Sequence, residues 1–137
     1  MIYAVIDTNV FVSAFLSQHS NTATVQVVSA ISDNGICPLY NQDIIAEYKE
    51  VLCRPKFCFP IQVIDSILNK IQAVGISVNR VHSSEYFPDT DDIVFYEVAL
   101  SKEDAYLVTG NTKHFPNTPI VVTPAEMVEI LKKEKLL

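Results

Sequence analysis

Short apolar runs, each too brief for a helix, alternate along this chain with longer segments whose apolar residues recur at helical spacing, and this alternation narrows the fold more than any other feature. Residues 1–6 form a strand-like run of Ile, Val and Tyr bounded by Asp7-Thr8-Asn9, which leads into a helix. A helix over residues 22–34 follows, with Thr22 as its N-cap and Gly35 as its stop. Residues 36–40 read as a second strand, and Asn41 caps a helix whose stripe is Ile44, Ile45, Tyr48, Val51 and Leu52. Arg54-Pro55 ends that helix, because the residue before proline is pushed out of the α region. Residues 60–74 restart a helix with Ile61, Ile64, Ile67, Leu68 and Ile71 on one face, stopped by Gly75. The pattern then predicts a strand over 76–82, a polar loop over 83–90 and a helix over 91–102, apolar around most of its circumference and so deeply buried. Strands over 105–109 and 120–122 come next. Thr123-Pro124-Ala125-Glu126 opens the last helix with a capping box and Pro at the first helical position.

Strands that alternate with helices pair in parallel through right-handed crossovers. The expected architecture is therefore a three-layer α/β/α sandwich around a central, mainly parallel sheet of about five strands. A chain of 137 residues has the size of one domain, here 1–137, and buries roughly two thirds of its unfolded surface. The N-terminal run reaches Asp7 without a basic flank, unlike a signal peptide, and no apolar stretch approaches the ~20 residues of a membrane span. Three cysteines (Cys37, Cys53 and Cys58) without a secretory signal suit buried thiols in a reducing cytoplasm, and no second Cys/His pair stands at zinc-ligand spacing.

The net charge of −6 opposes binding of nucleic acid by broad phosphate neutralisation. It does not oppose a nuclease, because acids converging on one pocket attract a phosphodiester once divalent cations sit among them. Ligands of such sheets bind beyond the carboxyl ends of the strands. That edge should gather Asp7-Thr8-Asn9 after the first strand, Asn111 after the fourth, and Asp89, Asp91 and Asp92 at the start of the buried helix. Each has a plainer explanation as a helix cap, a first-turn acid or a turn residue. Glu47 lies roughly 100° from the centre of its helix's apolar stripe and Glu50 roughly 160°, so Glu47 can border a cleft while Glu50 faces water. Mg²⁺ needs only one or two direct carboxylates with waters and substrate oxygens. Two carboxylates held close should raise at least one pKa when no cation is bound. No phosphate-binding glycine loop and no serine-hydrolase elbow occurs, and His19, His82 and His114 read as surface or turn residues.

Four segments together resemble the PIN-domain family, and in particular the toxin class of toxin-antitoxin pairs, over nearly the whole chain. They are Ile6-Asp7-Thr8-Asn9-Val10; Ile44-Ile45-Ala46-Glu47-Tyr48 with Arg54-Pro55-Lys56-Phe57; Asp89-Thr90-Asp91-Asp92 followed by Ala99; and Leu107-Val108-Thr109-Gly110-Asn111 with His114-Phe115-Pro116. The resemblance implies a metal-dependent ribonuclease in which Asp7, Glu47 and Asp92 bind Mg²⁺, or Mn²⁺, and carry catalysis together with Asn111. Asn111 stands where many such domains have a fourth acid, which removes one negative charge. Asn9 and Thr109, with Asp89 and Asp91, would support the three acids. A small antitoxin partner and a homodimer are implied in the same way.

Two rivals compete. A phosphatase or phosphotransfer domain of similar build also keeps an aspartate after its first strand, but the haloacid dehalogenase type needs a second where Asn9 stands, and a receiver domain needs a lysine where Thr123 stands. A non-catalytic PIN fold that binds RNA or a partner is favoured by Asn111 and the acidic charge, and opposed by Asp7, Glu47 and Asp92.

Overall fold

The computed structural model describes residues 1–137. In chain order they form β1 (Ile2–Ile6), α1 (Thr8–Leu16), α2 (Ala23–Ser32), β2 (Ile36–Tyr40), α3 (Gln42–Leu52), α4 (Ile61–Val74), β3 (Ile76–Ser77), α5 (Ile93–Ala99), β4 (Tyr106–Val108), β5 (Val121–Val122) and α6 (Pro124–Lys133). The strands make one sheet in the order β3-β2-β1-β4-β5, with every neighbouring pair parallel. Helices flank the sheet: α2 packs on α6, and α3 on α4 and α5, which completes the three-layer sandwich implied by the sequence. β1 lies at the centre because Ala4, Val5 and Ile6 can be buried on both faces, and each is fully enclosed. No helix is long and apolar enough to cross a membrane.

Local signals place the helix ends. Thr22 and Asn41 accept hydrogen bonds from the Val25 and Ile44 N–H groups at 3.4 and 2.8 Å, so both act as N-caps. At α6 the Thr123 hydroxyl accepts from the Glu126 N–H at 3.1 Å while the Glu126 carboxylate accepts from the Thr123 N–H at 2.9 Å. Such reciprocal capping contributes about 1 kcal/mol. Gly75 ends α4 for a steric reason: a Cβ there would collide with the carbonyl oxygens of Pro38 and Ile71.

Several expectations need correction. α2 stops at Ser32, and the residue in the left-handed region is Asn34 (φ 62°), not Gly35. The Gly35 N–H then reaches back to the Ala30 carbonyl at 2.8 Å, closing the helix in a Schellman arrangement with Asn34 in the usual glycine place. The strand expected over 76–82 is only Ile76–Ser77. Val78 makes the last bond to Tyr40, after which the Val81 N–H and the Arg80 side chain turn to Glu97 on α5. The helix expected over 91–102 splits into a 3-10 turn, Thr90–Asp92, and the shorter α5; the Ser101 hydroxyl and N–H both bond the Val98 carbonyl and end it. Phe95 to Ala99 are all buried, as the apolar circumference requires. Of the thiols expected to be buried, only Cys37 is; Cys53 and Cys58 lie on the exposed turn after α3, with Cys58 at φ 54°.

Candidate active site

Asp7 leaves the carboxyl end of β1, and its N–H continues the sheet by bonding the Val108 carbonyl at 2.9 Å. It stands at the N-cap position of α1 yet makes no side-chain cap bond, so the plain capping explanation does not account for it. Instead, Oδ2 accepts a 2.7 Å hydrogen bond from the Thr109 hydroxyl, which is buried at the end of β4, 102 residues along the chain. Thr109 Oγ1 accepts in turn from the Asn111 N–H at 3.0 Å.

α3 is docked beside β1 by Tyr48. Its buried hydroxyl donates to the Ile6 carbonyl at 2.6 Å, and its ring packs edge-on against Phe11 at 5.0 Å. One residue earlier on the helix, Glu47 is half-buried and faces the same strand end; Glu50 is exposed and paired with Arg54 at 2.9 Å, the division expected from their angles to the stripe. The 3-10 turn before α5 brings in the third acid. Asp89 caps that turn by accepting from the Asp91 N–H at 2.9 Å, which leaves Asp92 free.

These elements enclose a cavity of about 240 Å³ lined by five carboxylates: Asp7, Glu47, Asp89, Asp91 and Asp92. Thr8, Asn9, Val51 and Phe95 complete its apolar and neutral walls, and Arg54 and His114 are its cationic or titratable bases. The three acids singled out in the sequence all resist ionisation. Burial raises Asp7, with the Thr109 bond pulling partly the other way. Burial, then the charges of Glu50 and Asp91, raises Glu47. Asp92 is pushed up to about 6, first by burial and then by Asp7 and Asp89.

Two buried oxygens, Asp92 Oδ2 and Thr8 Oγ1, have no hydrogen-bond partner. An unpartnered carboxylate oxygen beside other acids is what a divalent cation satisfies, and removing its charge penalty would stabilise the site. No three Asp, Glu, His or Cys side chains converge tightly enough to form a closed ligand cage. The donor set fits a hydrated Mg²⁺ held by one or two carboxylates, and does not fit a metal held entirely by protein.

One placement differs from expectation. The exposed Asn111 side chain does not line the acidic cavity; it lines an adjoining one of about 290 Å³ with Gly110, Thr112, Lys113 and His114. Only the Asn111 backbone is tied to the acids, through Thr109. His114 keeps the exposed turn position expected of it, but it also lines the acidic cavity, with Nδ1 3.5 Å from Asp92 Oδ2. Arg54 also lines it, beyond its role in ending α3. Both lie in segments that carry the family resemblance, Arg54 beside Pro55-Lys56-Phe57 and His114 beside Phe115-Pro116, but residue spacing alone does not single out either.

One acid also escaped sequence reasoning. Glu97 is buried on α5 and receives the Arg80 guanidinium at 2.6–2.7 Å and the Ser83 N–H at 2.6 Å. Burial favours its neutral form, but the Ser83 N–H and Arg80 outweigh burial and hold its pKa below the ordinary value. Arg80 also lies 3.8 Å from Asp43 on α3, so it links α3, which carries Glu47, to α5, which follows the turn carrying Asp92.

A family model described as PIN domain matches residues 3–113. No curated protein and no solved structure matches the chain.

Proposed function

The chain belongs to the PIN-domain family, whose members are generally nucleases, and from that premise we propose that it is a Mg²⁺-dependent ribonuclease. The observation that carries the reading is the gathering of Asp7, Glu47 and Asp92 around one cavity, each with a raised pKa and Asp92 with an unpartnered oxygen. Asp7 and Asp92 would hold Mg²⁺ or Mn²⁺, which when bound supplies positive charge to a phosphodiester and acidity to its water. Thr109 fixes the Asp7 carboxylate in one orientation by its 2.7 Å bond. Glu47, raised toward neutrality, suits the acceptance of a proton from the attacking water. In-line attack at phosphorus would leave a 5′-phosphate and a 3′-hydroxyl.

The test is Mg²⁺-dependent cleavage of mixed RNA by wild type, Asp7→Asn, Asp92→Asn and Glu50→Gln. Loss in the first two variants with Glu50→Gln active supports the assignment; equal loss in all three, or in none, overturns it.

The motif resemblance to the toxin class supports a biological role as the toxin of a toxin-antitoxin pair, with a small antitoxin covering the cleft and a homodimer as the working form. A short neighbouring gene for a DNA-binding protein that co-purifies with this chain would support that role, and its absence would oppose it. Two features favour a second reading, a non-catalytic RNA-binding or interaction module: the neutral Asn111 and the net charge of −6. Cleavage that is abolished by EDTA and restored by Mn²⁺ excludes it.

A further inference from the structure

The acidic cavity explains how a scissile phosphate is met once a cation is bound, but the neighbouring phosphates of the same strand carry no cation with them. Around five carboxylates, in a chain of net charge −6, those phosphates need fixed positive groups to remain in place. Arg54 lines the acidic cavity itself. Its only ion pair is with Glu50, and the two side chains are 45% and 59% exposed. A pair so open to solvent is worth about 0–1 kcal/mol, so the guanidinium can be redirected at little cost to a phosphate, whose oxygens its planar fork matches.

The second cation lies in the adjoining cavity, which shares His114 with the first. Lys113 lines it and takes part in none of the chain's ion pairs. The rest of that cavity is Gly110, Asn111, Thr112 and His114, with no acid to repel an anion. The two cations thus stand on separate loops, one after α3 and one after β4.

Resting on the nuclease reading, we propose that Arg54 and Lys113 hold the backbone phosphates on either side of the cleaved one.

The experiment measures binding of the full chain, with Mg²⁺, to a short 2′-O-methyl oligoribonucleotide that resists cleavage, over a range of salt concentrations. Each lost phosphate contact reduces the slope of log K against log salt by about 0.7 for a single strand. Arg54→Gln and Lys113→Gln should each lower it by that amount and the double variant by about 1.4, while Arg54→Lys keeps the slope but binds more weakly. Lys133→Gln, at the far end of α6, should leave it unchanged. Unchanged slopes in the first two variants, an equal fall in Lys133→Gln, or no salt-dependent binding by wild type overturns the assignment. Wild-type cleavage of unmodified RNA is scored separately. If cleavage persists while the slopes stay fixed, the phosphate contacts alone are wrong; if cleavage is also absent, the nuclease reading falls with them.

Discussion

Replacing Asp92 by asparagine should make the metal-free protein more stable at neutral pH, although the change removes a residue placed at the heart of the site. Its carboxyl is raised from an ordinary 3.8 to about 6, chiefly by burial and then by Asp7 and Asp89. The folded state therefore holds this proton more tightly than the unfolded chain does, so stability is lost as pH rises. The penalty is absent below about 3.8, grows between 3.8 and about 6, and is complete above that. About two pKa units at 1.36 kcal/mol each give an upper value of about 3 kcal/mol. The side chain is only 18% exposed, so solvent screening discounts this little. For a chain of 137 residues the gain corresponds to about 10 °C in Tm. The assay is thermal unfolding of wild type and Asp92→Asn in EDTA at several pH values, then at neutral pH with Mg²⁺. Asp92→Asn should melt higher than wild type at pH 7, converge with it near pH 4, and gain less from Mg²⁺. A variant that is no more stable at pH 7, or a difference independent of pH, would refute the claim that burial beside other acids penalises the ionised Asp92 carboxylate.

Three further changes probe the supports of the site. Thr109→Val removes the donor to Asp7 and should raise that carboxyl further, moving the pH midpoint of Mg²⁺-induced stabilisation upward; an unmoved midpoint would deny Thr109 its orienting role. Tyr48→Phe strands the buried Ile6 carbonyl, so the denaturant midpoint should fall by the equivalent of about 1–3 kcal/mol, and an unchanged midpoint would mean that α3 is held by packing alone. Glu97 has a lowered pKa, so the stability it contributes is present above its ordinary 4.5 and disappears as pH falls through its lower folded value. Glu97→Gln should accordingly be weaker than wild type near pH 7 with a difference that narrows below pH 4.5, as read by chemical unfolding at each pH.

Features specified by neighbours in the chain were legible in the sequence. The Thr123 capping box, the Asn41 and Thr22 caps and the stripe on α3 all follow from residues within a few positions of one another, and so does the outward direction of Glu50. Alternation alone was enough to imply the parallel sandwich. The end of β3 and the buried acid on α5 were decided across long separations. Residues 78–82 have the composition of a strand, yet bonding to Glu97 draws them off the sheet edge, and nothing near residue 80 announces a partner on α5. Glu97 itself sits in an apolar run, where a lone acid gives no hint of an arginine seventeen positions earlier. Asn111 and His114 exchanged importance for a similar reason: the turn after β4 aims the histidine at Asp92 and the asparagine into the next cavity, a matter of backbone direction that motif position does not encode.

The bond between Thr109 and Asp7 joins the first strand to the fourth, and it has a consequence for the chain during its synthesis. β1 emerges from the ribosome early, but its neighbour β4 is contributed by residues 106–108. Until those residues are released, Asp7 has neither its hydroxyl donor nor the strand that walls its pocket. The acidic cavity is therefore completed only late in translation, once residues 106–109 have been made.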